Sequence, residues 1–257
     1  MLLIEKDITN IKLLNRKRHY KSNSAQMFAF VEHMKLIAGR EMRDNDLGTL
    51  SSVYETGGKG TITVSSGVGD PGGVSYGAYQ LTSKPNGGNV KRFINSAEFK
   101  WKSSFENLTP GSAEYTTKWK SLVNLHGQNF TDIEHNYIKK THFDIQIKKV
   151  KDKLNVDLRF HSHTLNDVIW STSVQHGGRT SVVINAINSI SDPCDETKYY
   201  DKKLIEAIYA ERGKTNANGN LMRFPRVTST SVISGLKKRF KNEKKEALKR
   251  LKNETDY

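Results

Sequence analysis

The chain has 257 residues but a single cysteine, Cys194, and only five prolines. One thiol rules out an internal disulfide framework and any cysteine-built zinc cluster, so Cys194 is read as inert. No apolar run approaches the roughly 20 residues that a membrane-spanning helix requires. Apolar residues make up only 35% of the chain. They are spread along most of it, which suffices for a core and argues against wholesale disorder. The opening MLLIEKDITNIKLLNRKRHY is charged from Glu5 onward. It has no clean apolar stretch and no small-residue cleavage site, so it does not read as a secretory signal.

Acidic residues are also short: 27 against 41 basic ones, a net charge of +14. Such a surface attracts a polyanion, and nucleic acid, anionic membrane and cell wall all qualify. No nucleic-acid fold signature accompanies the charge, so nucleic acid is not the expected partner. The basic run GLKKRFKNEKKEALKRLKN at 235–253 reads first as a solvated helix face with Glu/Lys neighbours. A second reading makes it a tether to anionic wall polymers.

Helical periodicity is weak over 1–20 and clear over 25–42, where Phe28, Val31, Met34 and Ile37 recur. Residues 1–45 form an expected helical extension, and 46–257 the main domain. A short helix over 46–55 ends at Gly57-Gly58. The stretch 57–77 changes character: KGTITVSS alternates like a strand, GVGDPGG turns, and VSYGAYQL returns. Further helices are predicted over 89–96, 112–125, 131–154, 165–176, 180–190, 199–212 and 229–252, with a polar loop at 213–228. Thr131 with Glu134, and Thr164 with Asp167, look like capping boxes. The expected class is α+β, mostly helical, with one small β-hairpin wing.

The chemistry is sought in Tyr54-Glu55-Thr56-Gly57-Gly58 and in Gly69-Asp70-Pro71-Gly72-Gly73-Val74-Ser75-Tyr76-Gly77-Ala78-Tyr79-Gln80-Leu81. Glu55 falls at the end of an apolar helix. Burial and the negative end of the helix dipole both disfavour its charged form, which suits a general acid. Asp70, in a glycine-rich turn, stays solvated and ionised. Two carboxyls in contrasting surroundings are what glycoside hydrolysis uses. A gap of roughly 6.5–9.5 Å implies inversion and one near 5 Å retention. By spacing alone, a glutamate at a helix end and an aspartate in a turn are ordinary features.

These residues resemble the lysozyme-like superfamily, in which a catalytic Glu ends a helix and a β-wing follows. Glu55-Thr56-Gly57 and Gly77-Ala78-Tyr79-Gln80-Leu81 look like the segments of soluble lytic transglycosylases and goose-type lysozymes. Gly69-Asp70-Pro71-Gly72-Gly73-Val74-Ser75 resembles the wing of chitosanases and phage-type lysozymes. The whole phrase is similar to peptidoglycan-degrading domains of phage tail and virion proteins. The resemblance is specific over about 54–81 and looser over 160–215. It implies a lysozyme-like fold, Glu55 as general acid, Asp70 as general base, and Ser75 helping to hold the attacking water. Ser75 stands where many relatives have Thr. Virion or tail proteins are then expected partners through 1–45, with action at the cell wall or periplasm.

Gln175 and His176, near the glycine end of the 165–176 helix, are candidate sugar ligands, though a histidine there is also favoured by the dipole. Tyr209 and Arg212 flank the same expected groove, or belong to an amphipathic core helix. Tyr76, Tyr79 and Gln80 either contact sugar or pack the wing. His161 and His163 lack a third ligand in pattern, so no metal is expected. The segment 67–77 lacks the Gly-Lys-Ser/Thr ending of a phosphate loop, and no cofactor is expected. The leading function is a muramidase-type hydrolase of peptidoglycan glycan strands. The rivals are a lytic transglycosylase needing Glu55 alone, a chitosanase (disfavoured because chitosan is cationic), and a basic nucleic-acid-binding virion protein.

Overall fold

The computed structural model describes residues 47–56, 60–190, 197–225 and 227–254, with backbone alone at 53–56 and 197–198. The expected extension over 1–45 and Cys194 lie outside the described residues. Helix α1 (Thr49–Thr56) leads into the glycine-rich segment. Two short strands, β1 (Ser75–Tyr76) and β2 (Leu81–Thr82), pair antiparallel with Ser75 opposite Thr82 and Tyr76 opposite Leu81. The alternating run 61–66 was expected to be a strand. It contributes one bridge, Val64 to Tyr76, flanked by Ser65 N–H to Ser75 O at 2.9 Å and Gly77 N–H to Thr63 O at 2.8 Å. Gly60 takes φ 70° and its carbonyl accepts from Thr63, so a turn occupies the first half of that run.

Helices α2 (Gly88–Ile94), α3 (Ala113–His126), α4 (Gln128–Ile138), α5 (Asp144–Leu154), α6 (His163–His176), α7 (Val182–Ser189), α8 (Thr197–Arg212) and α9 (Thr230–Asn253) follow. The mostly helical α+β class with one small hairpin is what the described residues show. The helix expected over 131–154 is two helices joined by a π-helical segment, Lys139–Phe143. There Thr141 Oγ1 donates to Tyr137 O at 2.7 Å, a side chain competing for a carbonyl of the preceding turn. Gly178 is needed beside this segment, because a Cβ would come within 2.7 Å of His142 O. No helix among the described residues is long and apolar enough to cross a membrane.

Neither expected capping box forms. Helix α4 starts after Gly127, Thr131 Oγ1 turns back to Gly127 O, and Glu134 is wholly buried. Helix α6 starts one residue before Thr164 and is capped by Ser162, whose Oγ accepts from Leu165 N–H at 3.1 Å. A box reads only local spacing, and both acidic members have partners from far along the chain.

One continuous core runs from Leu47 to Leu251. Beneath the wing it is aromatic. Tyr76, Phe93, Tyr115, Trp119 and Phe130 are fully or almost fully buried, and Trp101 lies flat on Phe130 at 5.3 Å. Rings of this size bury 150–250 Å² each, so this cluster is the main apolar anchor of the wing. The helical half is centred on Trp170 and Leu165 of α6, with α7, α8 and α9 packed around it.

Candidate active site

Glu55 is the penultimate residue of α1, and its side chain lies outside the described atoms. An isolated eight-residue helix is unstable in water, because nucleation costs more than so few hydrogen bonds return. Its position is therefore imposed from outside. Leu47, Leu50 and Ser51 are buried, and α1 packs against α6 and α9. The helix begins after Gly48, whose φ of 91° and missing side chain leave no local cap. Asp167 of α6 takes that role. Its Oδ1 accepts from Gly48 N–H at 2.6 Å, and its Oδ2 accepts from Leu50 N–H at 2.9 Å and from Thr49 Oγ1 at 3.0 Å. Trp170, one turn further along α6, fills the space beside Gly48. A Cβ on Gly48 would come within 2.9 Å of Trp170 Nε1.

Asp70 sits at the exposed wing tip, where its Oδ1 accepts from Gly72 N–H at 2.7 Å and its carbonyl from Gly73 N–H at 2.9 Å. This is a carboxylate that shapes its own turn. Ser75 is buried on β1, with its N–H donated to Ser65 Oγ at 2.8 Å.

The remaining wing residues bind the wing to the helices. Tyr76 is fully buried; its hydroxyl meets Thr116 Oγ1 at 3.0 Å and accepts from Gly111 N–H at 3.1 Å. A ring with no exposed face cannot stack on a sugar in this conformation. Gln80 Nε2 donates to Gly77 O at 3.0 Å, closing the hairpin tip. Tyr79 is half-buried, with its hydroxyl 2.8 Å from His135 Nδ1 and its ring 6.0 Å from Trp170. His135 stacks on Trp170 at 4.6 Å. The wing, through Tyr79, and α1, through Gly48, thus meet the same tryptophan.

Glu134 was not anticipated as part of this region. It projects from α4 under the hairpin tip, where Tyr79 N–H donates to its Oε1 at 3.4 Å. A Cβ on Gly77, at φ 78°, would overlap that oxygen, so the glycine is what lets the wing close down on the carboxyl. Oε2 has no hydrogen-bond partner among the described residues. Burial pushes the Glu134 pKa up to about 7, against the opposing pull of the Thr61 hydroxyl and the Ala78 and Tyr79 amides. The sequence did carry a sign of this: Phe130, Ile133 and Ile138 form an apolar stripe, and Glu134 lies on it.

Gln175, His176, Tyr209 and Arg212 do come together, with Tyr209 and Arg212 buried and Gln175 and His176 partly buried. Arg212 is fully buried and reaches Glu243 of α9 at 3.1 Å and Gln175 Oε1 at 2.6 Å. Tyr209 donates its hydroxyl to Glu243 at 3.2 Å, and Arg239 pairs with the same carboxylate at 2.7 Å. His176 lies against Phe224 and Phe240. Burial, reinforced by Arg212, Arg223 and Arg239, pushes its pKa down to about 3, so it is neutral at physiological pH. The four residues join α6, α8 and α9, and Arg212 has no solvent-exposed atom to offer a ligand. His161 is paired with Asp201 at 2.6 Å, an oxygen-to-ring contact that anchors the start of α6.

The family model described as "Type VI secretion system spike protein VgrG3-like, C-terminal" matches residues 47–244. The chain is also 37% identical over 202 residues to the type VI secretion system spike protein VgrG3 of Vibrio cholerae serotype O1 (strain ATCC 39315 / El Tor Inaba N16961). That alignment takes in 79% of this chain and 18% of the relative, so the chain spans less than a fifth of that protein's length. The expected assignment to virion-associated lysozyme domains is corrected by these matches, and with it the expected virion location: the relative belongs to a secretion spike. The misreading has a simple cause, since the motif phrase over 54–81 is short and says nothing of the machine that carries it.

Proposed function

Given that this chain belongs to the type VI secretion spike VgrG3-like C-terminal family, we propose that it hydrolyses the glycan strands of peptidoglycan. Glu55 is the general acid and protonates the leaving glycosidic oxygen. Asp70 is the base that draws a proton from the attacking water, and the Ser75 hydroxyl helps orient that water. The partners are then the glycan strand and other components of a secretion spike, and the site of action is the wall.

The observations that support the reading are where Glu55 falls along its helix and where Asp70 stands. Glu55 belongs to a short helix held at its start by buried groups, with the helix dipole's negative end beside it. Asp70 stands exposed in a turn that its own Oδ1 closes on Gly72 N–H. That division, one acid and one base, is the requirement of glycoside hydrolysis. The matched span 47–244 includes both residues and the whole wing. The +14 charge favours approach to an anionic wall.

The test is digestion of purified peptidoglycan by the wild type, Glu55→Gln and Asp70→Asn, with product ends identified by mass. Glu55→Gln is expected to lose roughly 10²-fold or more of the rate. Products should carry free reducing ends. Anhydro ends, with Asp70→Asn fully active, would assign a transglycosylase instead. Full activity of Glu55→Gln would end the proposal.

A further inference from the structure

The described ends of the chain meet at the start of the Glu55 helix. Arg250, in the last turn of α9, donates from Nη1 to Thr49 Oγ1 at 2.9 Å and reaches Asp167 Oδ2 at 3.3 Å. Glu254, four residues on, accepts from His163 N–H at 2.7 Å, Thr164 N–H at 3.1 Å and Thr164 Oγ1 at 2.6 Å, and so covers the first amides of α6. One helix end thus holds the beginnings of two others. Residues 250 and 254 lie past the matched family segment.

Asp167 is the hub of this arrangement. Its side chain is 2% exposed, and each of its oxygens receives hydrogen bonds. A buried carboxylate keeps its charge only when amides or cations compensate its lost hydration. Burial raises its pKa; the Gly48 and Leu50 amides, the Thr49 hydroxyl and the charge of His163 act in the opposite sense. It replaces the side-chain cap that Gly48 cannot supply, taking the amide of Leu50 that the first helical turn leaves free. From Thr49 to Glu55 an α-helix rises about 9 Å. A tilt or fraying at the start of so short a helix is carried undiminished to its end.

We infer that Asp167 is a positioning residue for Glu55, and that Arg250 steadies it, so that the last turn of the C-terminal helix fixes where the general acid stands. The inference rests on the reading of Glu55 as the acid. It separates the role of α9 from its charge: Arg250 serves geometry, whatever the lysines of that helix attract.

The test uses the full chain with Arg250→Ala, Arg250→Lys and Asp167→Asn. The Arg250 side chain is 36% exposed, so its truncation leaves the fold intact even where Asp167→Asn does not. Arg250→Ala should lower kcat roughly 10-fold, since small misplacements of a catalytic group are costly, and leave KM within about twofold. Arg250→Lys should recover most of the loss. Hydrogen exchange at the Leu50 amide should quicken in Arg250→Ala while α3 and α5 keep their rates. Wild-type kcat in folded Arg250→Ala, or unchanged exchange at Leu50, overturns the inference. Glu55→Gln in the same assay keeps the two ideas apart. Full activity there removes the acid; an inactive Glu55→Gln beside a fully active Arg250→Ala removes only the positioning.

Discussion

Glu134 shows what a single buried carboxyl can do to a fold. Its pKa in the folded protein, about 7, lies above the ordinary carboxylate value. The folded state therefore holds the proton more tightly than the unfolded chain does. Its contribution is fully present below about pH 4.5 and is lost as pH rises through 7. At about 1.4 kcal/mol per unit, the loss is at most roughly 3 kcal/mol. Glu134→Gln keeps the shape and removes the titration. Its Tm should gain on the wild type steadily between pH 5 and 8, in scanning calorimetry at matched ionic strength. A difference that stays flat over that range would mean that the carboxyl is hydrated. Gly77→Ala attacks the same contact sterically. The added methyl must displace Glu134 or lift the hairpin tip, and the positive φ adds strain. A loss of about 2 kcal/mol or more in denaturant midpoints is expected.

At the scale of elements, α9 holds two faces in tension. Ile233, Phe240, Glu243, Ala247 and Leu251 are buried against α6, α8 and α1. On the outside, Lys238, Lys241, Lys245, Lys249 and Lys252 are all exposed. At 3.6 residues per turn they fall within about 80° of arc and along about 21 Å. Cutting away 235–257 is thus a poor probe of wall binding, because it opens the core and strands Arg212 without Glu243. Replacing those five lysines with glutamine is the sharper experiment. Sedimentation with peptidoglycan sacculi at low salt should weaken several-fold, and the variant should lose the wild type's salt sensitivity. Unchanged binding would leave the stripe as a solvated surface. Much of this helical arrangement was legible in advance: α3, α6, α8 and α9 begin and end within two residues of the periodicity that announced them. The turn at Gly60, which replaces half of the strand expected over 61–66, was not, because alternation of Thr, Ile and Val says nothing about a turn. The misread boxes at Thr131 and Thr164 fail for a shared reason. A carboxylate three residues on can serve a local amide or a distant one, and the choice is made by packing.

For the whole molecule, the decisive interactions join segments far apart in sequence, and those were the least legible. Glu55, Asp70 and the wing stood out as a compact phrase. Asp167 read only as a local capping partner of Thr164, Arg250 only as one cation of a basic run, and Gln175, Tyr209 and Arg212 as ligands for a groove. In the fold Tyr209 and Arg212 meet Glu243 and Gln175 meets Arg212, with Arg212 and Glu243 both fully buried. Removing one member of such a pair leaves a charge without compensation. Glu243→Ala should cost about 3–5 kcal/mol, while replacing Arg212 and Glu243 together with Met and Leu should cost far less. Urea unfolding of the three proteins decides it; equal losses would mean that the pair contributes only its packing volume.

The bond between Thr49 and Arg250 links positions 201 residues apart. Closing so long a loop carries an entropic cost that contacts within the wing do not bear, so the contacts that seat the proposed acid are expected to form after the wing. The described segment begins and finishes side by side, so residues 47–254, bridged by a short peptide and reopened at the exposed turn around Asn218, should refold into the same shape.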